Sequence, residues 1–202
     1  MTMRDDIAGC ILAGGQSRRM GEDKAQLVLD GVALLDLAID RLRPQVPTLI
    51  VNRHDLKVPV DTHGLPVVTD AAGDHQGPLA GLLAALDWAG RHGFTSVATV
   101  AVDTPFFPRD LVTKLAGAAQ GLDMAVASSG GRLHPVFGLW KVTLVPALVD
   151  FIQGSRRSMH DWALSHGAGI AEWSSLPYDP FFNINTPDDM DMALRLRGEF
   201  QP

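Results

Sequence analysis

From Leu12 to Lys24 the chain reads LAGGQSRRMGEDK: a glycine pair, then the hydroxyl of Ser17 and the cations Arg18, Arg19 and Lys24, set against Glu22 and Asp23. Gly14 and Gly15 permit a tight turn that aims backbone N–H groups inward, a concavity that favours anions. The spacing matches neither GxGxxG nor a P-loop, because no Lys-Ser/Thr follows a glycine at the required distance. A solvated, merely basic loop would use the same residues. The apolar run Ile7–Leu12 before the loop and the lone Lys24 at its end favour phosphate. Asp103 closes a second apolar run, VATVAV at Val97–Val102. A hard cation such as Mg²⁺ takes carboxylate oxygen, often from only one or two protein groups, and phosphate and water complete its shell. Asp103 alone is therefore an adequate anionic ligand, and Asn185 offers a second oxygen. On spacing alone, both also read as turn residues bonding their own backbone.

Residues so far apart need a scaffold to bring them together. Short apolar segments recur at Ile7–Leu12, Thr48–Val51, Pro66–Val68, Val97–Val102, Met124–Ala127 and Val136–Trp140. They are apolar on both faces, as parallel strands covered by helices must be. Helical patterns alternate with them at Leu34–Leu42, Leu79–Ala89, Pro108–Ala119, Ser158–His166 and Pro187–Arg197. The last has Thr186 as N-cap, proline at the first position and Asp188 and Asp189 in the first turn. The alternation predicts an α/β fold: one mostly parallel sheet flanked by helices, with right-handed crossovers. Such sheets bind ligands at the carboxyl ends of their strands. That rule nominates residues 12–15, Asn52, Asp70 and Asp103.

The 202 residues suffice for one domain that buries about 70% of its unfolded surface. Hydrophobic residues at 46% and charged residues at 20% argue against disorder, collagen or a coiled coil. The single cysteine, Cys10, excludes an internal disulfide and fits a reducing cytoplasm. No apolar run approaches the roughly 20 residues of a membrane span, and the N-terminus lacks the basic start of a secretory signal. A net charge of −6 disfavours a broad nucleic-acid surface. Any polyanion must be met by a local cluster.

The pattern LAGGxSxRMGxDK resembles the signature loop of the molybdenum cofactor guanylyltransferases, which join GMP from GTP to molybdopterin. The resemblance continues through GPLAGL at Gly77–Leu82, AVDTPF at Ala101–Phe106, HPVFGLW at His134–Trp140 and NINTPDD at Asn183–Asp189. It covers essentially the whole chain in the family's order. It implies one Rossmann-like nucleotidyltransferase domain over residues 1–202, its N-terminal part binding nucleotide and its C-terminal part molybdopterin, with Mg²⁺ as cofactor. Leu12, Ala13 and Gly14 would lie against the nucleotide, and Gly15 would shape the same turn. Lys24 and Arg19 would face the phosphates as catalytic cations. Asn52, Asp70 and Gly77 match nucleotide contacts, Asp103 the metal-binding aspartate, and Asn183 and Asn185 the second-substrate motif.

Asp70 and the GPLAGL segment suit guanine, which offers N1–H and an amine to a carboxylate and carbonyls, and O6 to glycine N–H groups. Gly77 and Gly81 would let the backbone approach; Gly81 also reads as a residue that packs against the sheet. The implied reaction is attack by the terminal phosphate of molybdopterin on the α-phosphorus of GTP, with pyrophosphate leaving in line. Alternatives are CMP transfer to molybdopterin, nucleotidyl transfer to a sugar or polyol phosphate, and a noncatalytic GTP-binding sensor. The family also implies a P-loop GTP-binding adaptor and molybdoenzyme assembly proteins as partners, though no segment marks their surface. The seven histidines show no zinc spacing. His134 reads either as a border of the second-substrate cleft or as structural. Arg156 and Arg157 read as acceptor contacts or as a solvated helix entry.

Overall fold

The computed structural model describes residues 5–14, 24–54, 56, 59–70, 77–154 and 158–200, with side chains to 197. Nine strands, six α-helices and three short 3-10 helices follow one another along this part of the chain. Seven strands form one sheet in the order β5-β4-β1-β6-β8-β7-β9: β1 is Ile7–Leu12, β4 Thr48–Arg53, β5 Val67–Thr69, β6 Ser96–Ala101, β7 Met124–Ser129, β8 Arg132–Lys141 and β9 Gly169–Trp173. β2 (Val28–Leu29) and β3 (Val32–Ala33) make a separate two-stranded ribbon. β1 pairs in parallel with β4 and β6, as do β4 with β5 and β7 with β9. Only β8 is reversed, lying antiparallel between β6 and β7. The sheet is thus mostly parallel, as the alternation predicts.

Both faces are covered, and β1 shows why its run is unbrokenly apolar. Ile7 and Ile11 point into one core with Leu34, Leu35 and Leu42 of α1 (Leu34–Leu42) and Leu111 and Leu115 of α3 (Leu111–Ala118). Ala8, Cys10 and Leu12 point into the other, with Leu82 and Leu86 of α2 (Pro78–Arg91), Leu148 of α4 (Val145–Gln153) and Trp162 of α5 (Met159–Ser165). This two-residue period buries a full strand on both sides. Gly9 sits where a Cβ would come within 2.8 Å of Val46 Cγ2, so the strand can lie close under α1 only without a side chain there. Cys10 is a core residue, and burial pushes its thiol pKa well above the ordinary range.

Three features depart from the sequence reading. The helix expected from Pro108 starts at Leu111: Leu111 N–H bonds Pro108 O at 3.2 Å in a turn, and buried Gln45 takes the Val112 N–H through Oε1 at 3.0 Å. That distant glutamine, not a local proline, meets an amide at the helix start. β8 begins at Arg132, four residues before the expected Val136. The reversal of β8 and the elements β2, β3, β9 and α4 were not anticipated. Helix α6 (Pro187–Phe200) starts as expected, with Thr186 Oγ1 accepting from Asp189 N–H at 3.2 Å. Asp189 reciprocates, its Oδ2 accepting from the N–H groups of Thr186 and Asn185 at 2.8 and 2.9 Å. These bonds, that of Asn185 first, hold its carboxyl below the ordinary carboxylate range.

Candidate active site

The chain leaves β1, builds β4 and β5 outward on one side, then returns to place β6 on the other. This reversal opens a crevice at the carboxyl ends of β1 and β6, the usual ligand position in such sheets. A cavity of about 570 Å³ lies there, lined by Leu12, Gly14, Lys24, Asn52, Asp70, Gly77 and Asp103. Asn183 and residues not singled out from sequence, His54, Ala101 and Val136 among them, share its wall. Ala13 does not line it: that residue is buried, and its N–H bonds Asn52 O at 2.9 Å, tying β1 to β4. Gly15, Arg18, Arg19, Arg156 and Arg157 lie outside the described residues.

At the floor of the crevice three distant segments meet on one ammonium. Lys24 Nζ donates to Asp103 Oδ2 at 2.6 Å and to Asn185 Oδ1 at 2.5 Å. The Lys24 and Asp103 side chains are only 14% and 13% exposed. Each is held from behind. Ala25 and Leu27, buried just after Lys24, fix its backbone against the core. The buried Thr104 donates from Oγ1 to Asp103 Oδ1 at 3.4 Å, a long contact. Ile184, fully buried, gives its N–H to Asp103 O at 2.9 Å, so Asn183 and Asn185 on either side of it face the crevice. A carboxylate and an amide oxygen converging on one cation are oxygen donors of the kind a hard divalent ion takes, so Asp103 and Asn185 are the residues that could hold one. Among the described residues no cluster of three or more His, Cys, Asp or Glu offers another metal site.

At the opposite wall Asp70 is gripped from two sides. Asn52 Nδ2 donates to Asp70 Oδ1 at 2.9 Å and to Val68 O at 3.2 Å, and His54 Nδ1 lies 3.1 Å from Asp70 Oδ2. Asn52 and His54 are two residues apart where β4 ends, hence on one face; that spacing was the signal that could have found His54. Gly81 takes the second of its two sequence readings, packing against the sheet at Asn52 and Leu12. A Cβ there would lie 2.3 Å from Asn52 Oδ1, so the glycine makes room for the amide that aims Asp70, not for a ligand. Gly81→Ala is therefore expected to displace the Asn52–Asp70 hydrogen bond and lower stability by about 1 kcal/mol, or about 2–4 °C in melting temperature, which a melting curve checks. Gly77, at φ 116°, holds a conformation closed to L side chains where the chain enters α2.

A second cavity of about 440 Å³ adjoins the first and is lined by Arg132, His134, Asp179, Phe181 and Asn185 among others. Ala101, Val136 and Asn183 line both. The partition comes from β8. Its register with β7 jumps from Val126–Gly138 to Ala127–His134, leaving residues 135–137 as an insertion in the ladder. Such bulges re-aim side chains beside sites. Here Val136 reaches both cavities.

Residues 9–167 match the model of the MobA-like NTP transferase domain. The chain belongs to the MobA-like NTP transferases. Among the relatives of this MobA-like NTP transferase is the molybdenum cofactor guanylyltransferase of Mesorhizobium japonicum, 44% identical over an alignment of 202 positions that covers 96% of this chain and 97% of that protein. Molybdopterin-guanine dinucleotide biosynthesis protein A of Archaeoglobus fulgidus shares the fold with a TM-score of 0.73, at 24% identity over 95% of this chain and 99% of its own. So does Rv0371c of Mycobacterium tuberculosis, crystallised in a complex with manganese, with a TM-score of 0.65 at 17% identity over 94% and 98% of the two chains. As a member of this family the chain is a nucleotidyltransferase.

Proposed function

We propose that the protein transfers GMP from GTP to the terminal phosphate of molybdopterin, releasing pyrophosphate and forming molybdopterin guanine dinucleotide. The observation that supports this most directly is the meeting of Lys24, Asp103 and Asn185 beside two adjoining cavities, one suited to the nucleotide and one to the acceptor. Residues up to Asp103 line most of the first cavity, and residues from β8 and from 179–189 line most of the second.

The problem the site must solve is electrostatic. GTP carries about four negative charges and a phosphomonoester about 1.5 to 2. Each unit-charge pair at about 4 Å costs about 4 kcal/mol at an effective dielectric of about 20. A net hydrogen bond contributes only about 1 kcal/mol, so cations must carry the reaction. Asp103 and Asn185 would hold Mg²⁺, which neutralises phosphate charge when bound. Lys24 would turn its charge to the departing pyrophosphate, with the Gly14 amide as a further donor, and the family resemblance gives Arg19 and Gly15 the same phosphates. Asn183 sits on the shared wall and orients the incoming phosphate. That nucleophile is already ionised near neutral pH, so no general base is required.

Asp70, fixed by Asn52 and His54, accepts from N1–H and the amine of guanine, while N–H groups at the start of α2 meet O6. Cytosine offers no such donor pair. The same reading places the enzyme in the cytoplasm, with a P-loop GTP-binding adaptor and molybdoenzyme assembly proteins receiving its product. No helix among the described residues is long and apolar enough to cross a membrane. Incubation with Mg²⁺, molybdopterin and each of GTP, CTP, ATP and UTP, read by mass detection of the dinucleotide, tests it. Product is expected with GTP alone; a CMP adduct, or GTP binding without pyrophosphate release, overturns the assignment.

A further inference from the structure

The second cavity contains a side-chain relay that neither the triphosphate nor the metal uses. Ser129, buried at the end of β7, donates its single hydroxyl proton to Asp179 Oδ1 at 2.8 Å. Its oxygen also lies 2.7 Å from His134 Nε2. A hydroxyl that has spent its proton on a carboxylate can only accept from the ring, so His134 carries its proton on Nε2. Asp179 is itself anchored, its Oδ1 taking the Phe181 N–H at 2.9 Å. The imidazole stacks on Phe181 with ring centroids 4.6 Å apart and planes 20° from parallel. Its rotation is therefore fixed by a bond at one edge and an aromatic ring on one face. Nδ1 makes no hydrogen bond among the described residues, and His134 lines the cavity.

From this geometry we infer that His134 is a specificity-determining contact for the acceptor, its Nδ1 accepting a hydrogen bond from an N–H group of the acceptor's planar heterocycle. The inference rests on the acceptor assignment above and adds which part of the molecule is read. A lone pair on a neutral imidazole accepts and cannot donate, so it selects an N–H or O–H partner and rejects a phosphate dianion, which has no proton to give. Burial, opposed by Asp179 and reinforced by Arg132, lowers the pKa of His134 and keeps the ring in this neutral form at pH 7. The phosphate end of the acceptor is left to the shared wall, where Asn183 lies between the cavities. A pterin ring, planar and edged with N–H donors, has the chemistry that the histidine selects.

Binding of a phosphate-free pterin, followed by its own fluorescence, isolates this contact from the nucleotide. His134→Gln keeps a donor for Ser129 but removes the atom at the Nδ1 position, and is expected to weaken pterin binding about tenfold. His134→Asn keeps an acceptor at that position and is expected to stay within about threefold of wild type. GTP affinity of both variants should be unchanged, which certifies the fold. Equal pterin affinity in wild type and His134→Gln, or no pterin binding by wild type, overturns the inference. If wild type nevertheless forms the dinucleotide, only the role of His134 falls. Absence of dinucleotide overturns the acceptor assignment itself.

Discussion

Asp103→Ala loses turnover on the order of 10²–10³-fold, as expected when charge stabilisation in the transition state is removed. Lys24 keeps Asn185 Oδ1 as an acceptor, so removal of the mostly buried carboxylate does not leave its ammonium unpartnered. The expected stability loss is about 1–2 kcal/mol, which for a chain of this size lowers the melting temperature by about 2–8 °C. Initial rates of pyrophosphate release and a melting curve, taken on the same preparation, separate the two effects. Near-normal rates would remove Asp103 from the reaction. A collapse in melting temperature would make it a structural residue.

Lys24→Ala suffers a turnover loss of similar size, but its effect on metal affinity runs opposite to that of Asp103→Ala. In the structure the ammonium bridges the two oxygens proposed to hold the divalent ion, 2.6 Å from Asp103 Oδ2 and 2.5 Å from Asn185 Oδ1. Metal binding must expel it. With the lysine gone, one cation–cation repulsion disappears, and Mn²⁺ titrated without nucleotide should bind about tenfold more tightly. The same titration of Asp103→Ala should show weaker binding. Paramagnetic resonance of free Mn²⁺ reads both without any turnover. Equal affinity in wild type and Lys24→Ala would mean that the ion and the ammonium do not compete.

Much of this arrangement was legible from residue types. β1 and α1 match their expected limits, because an apolar strand run ending at glycine and a leucine-rich helix face are set by local pattern. Leu12, Gly14, Asn52, Asp70 and Asp103 share one crevice because parallel strands put their carboxyl ends on one edge. What resisted reading depends on partners far away in sequence. The reversed β8 carries the same apolar pattern as a parallel strand would. Gly81 is explained only by Asn52, and the start of α3 only by Gln45. The pairing of Ser129 with Asp179 joins residues fifty positions apart, which no local periodicity encodes.

The wall between the cavities is thin and composite, with Val136 contributed by the irregular stretch of a single strand. On the proposed function, the residues that would read donor and acceptor come largely from separate stretches of polypeptide, joined at this wall and through Lys24, Asp103 and Asn185. On that assignment, substitutions in 129–134 and 179–182 would change the acceptor pocket while leaving the lining of the first cavity untouched. The bulged strand is the hinge of that division of labour.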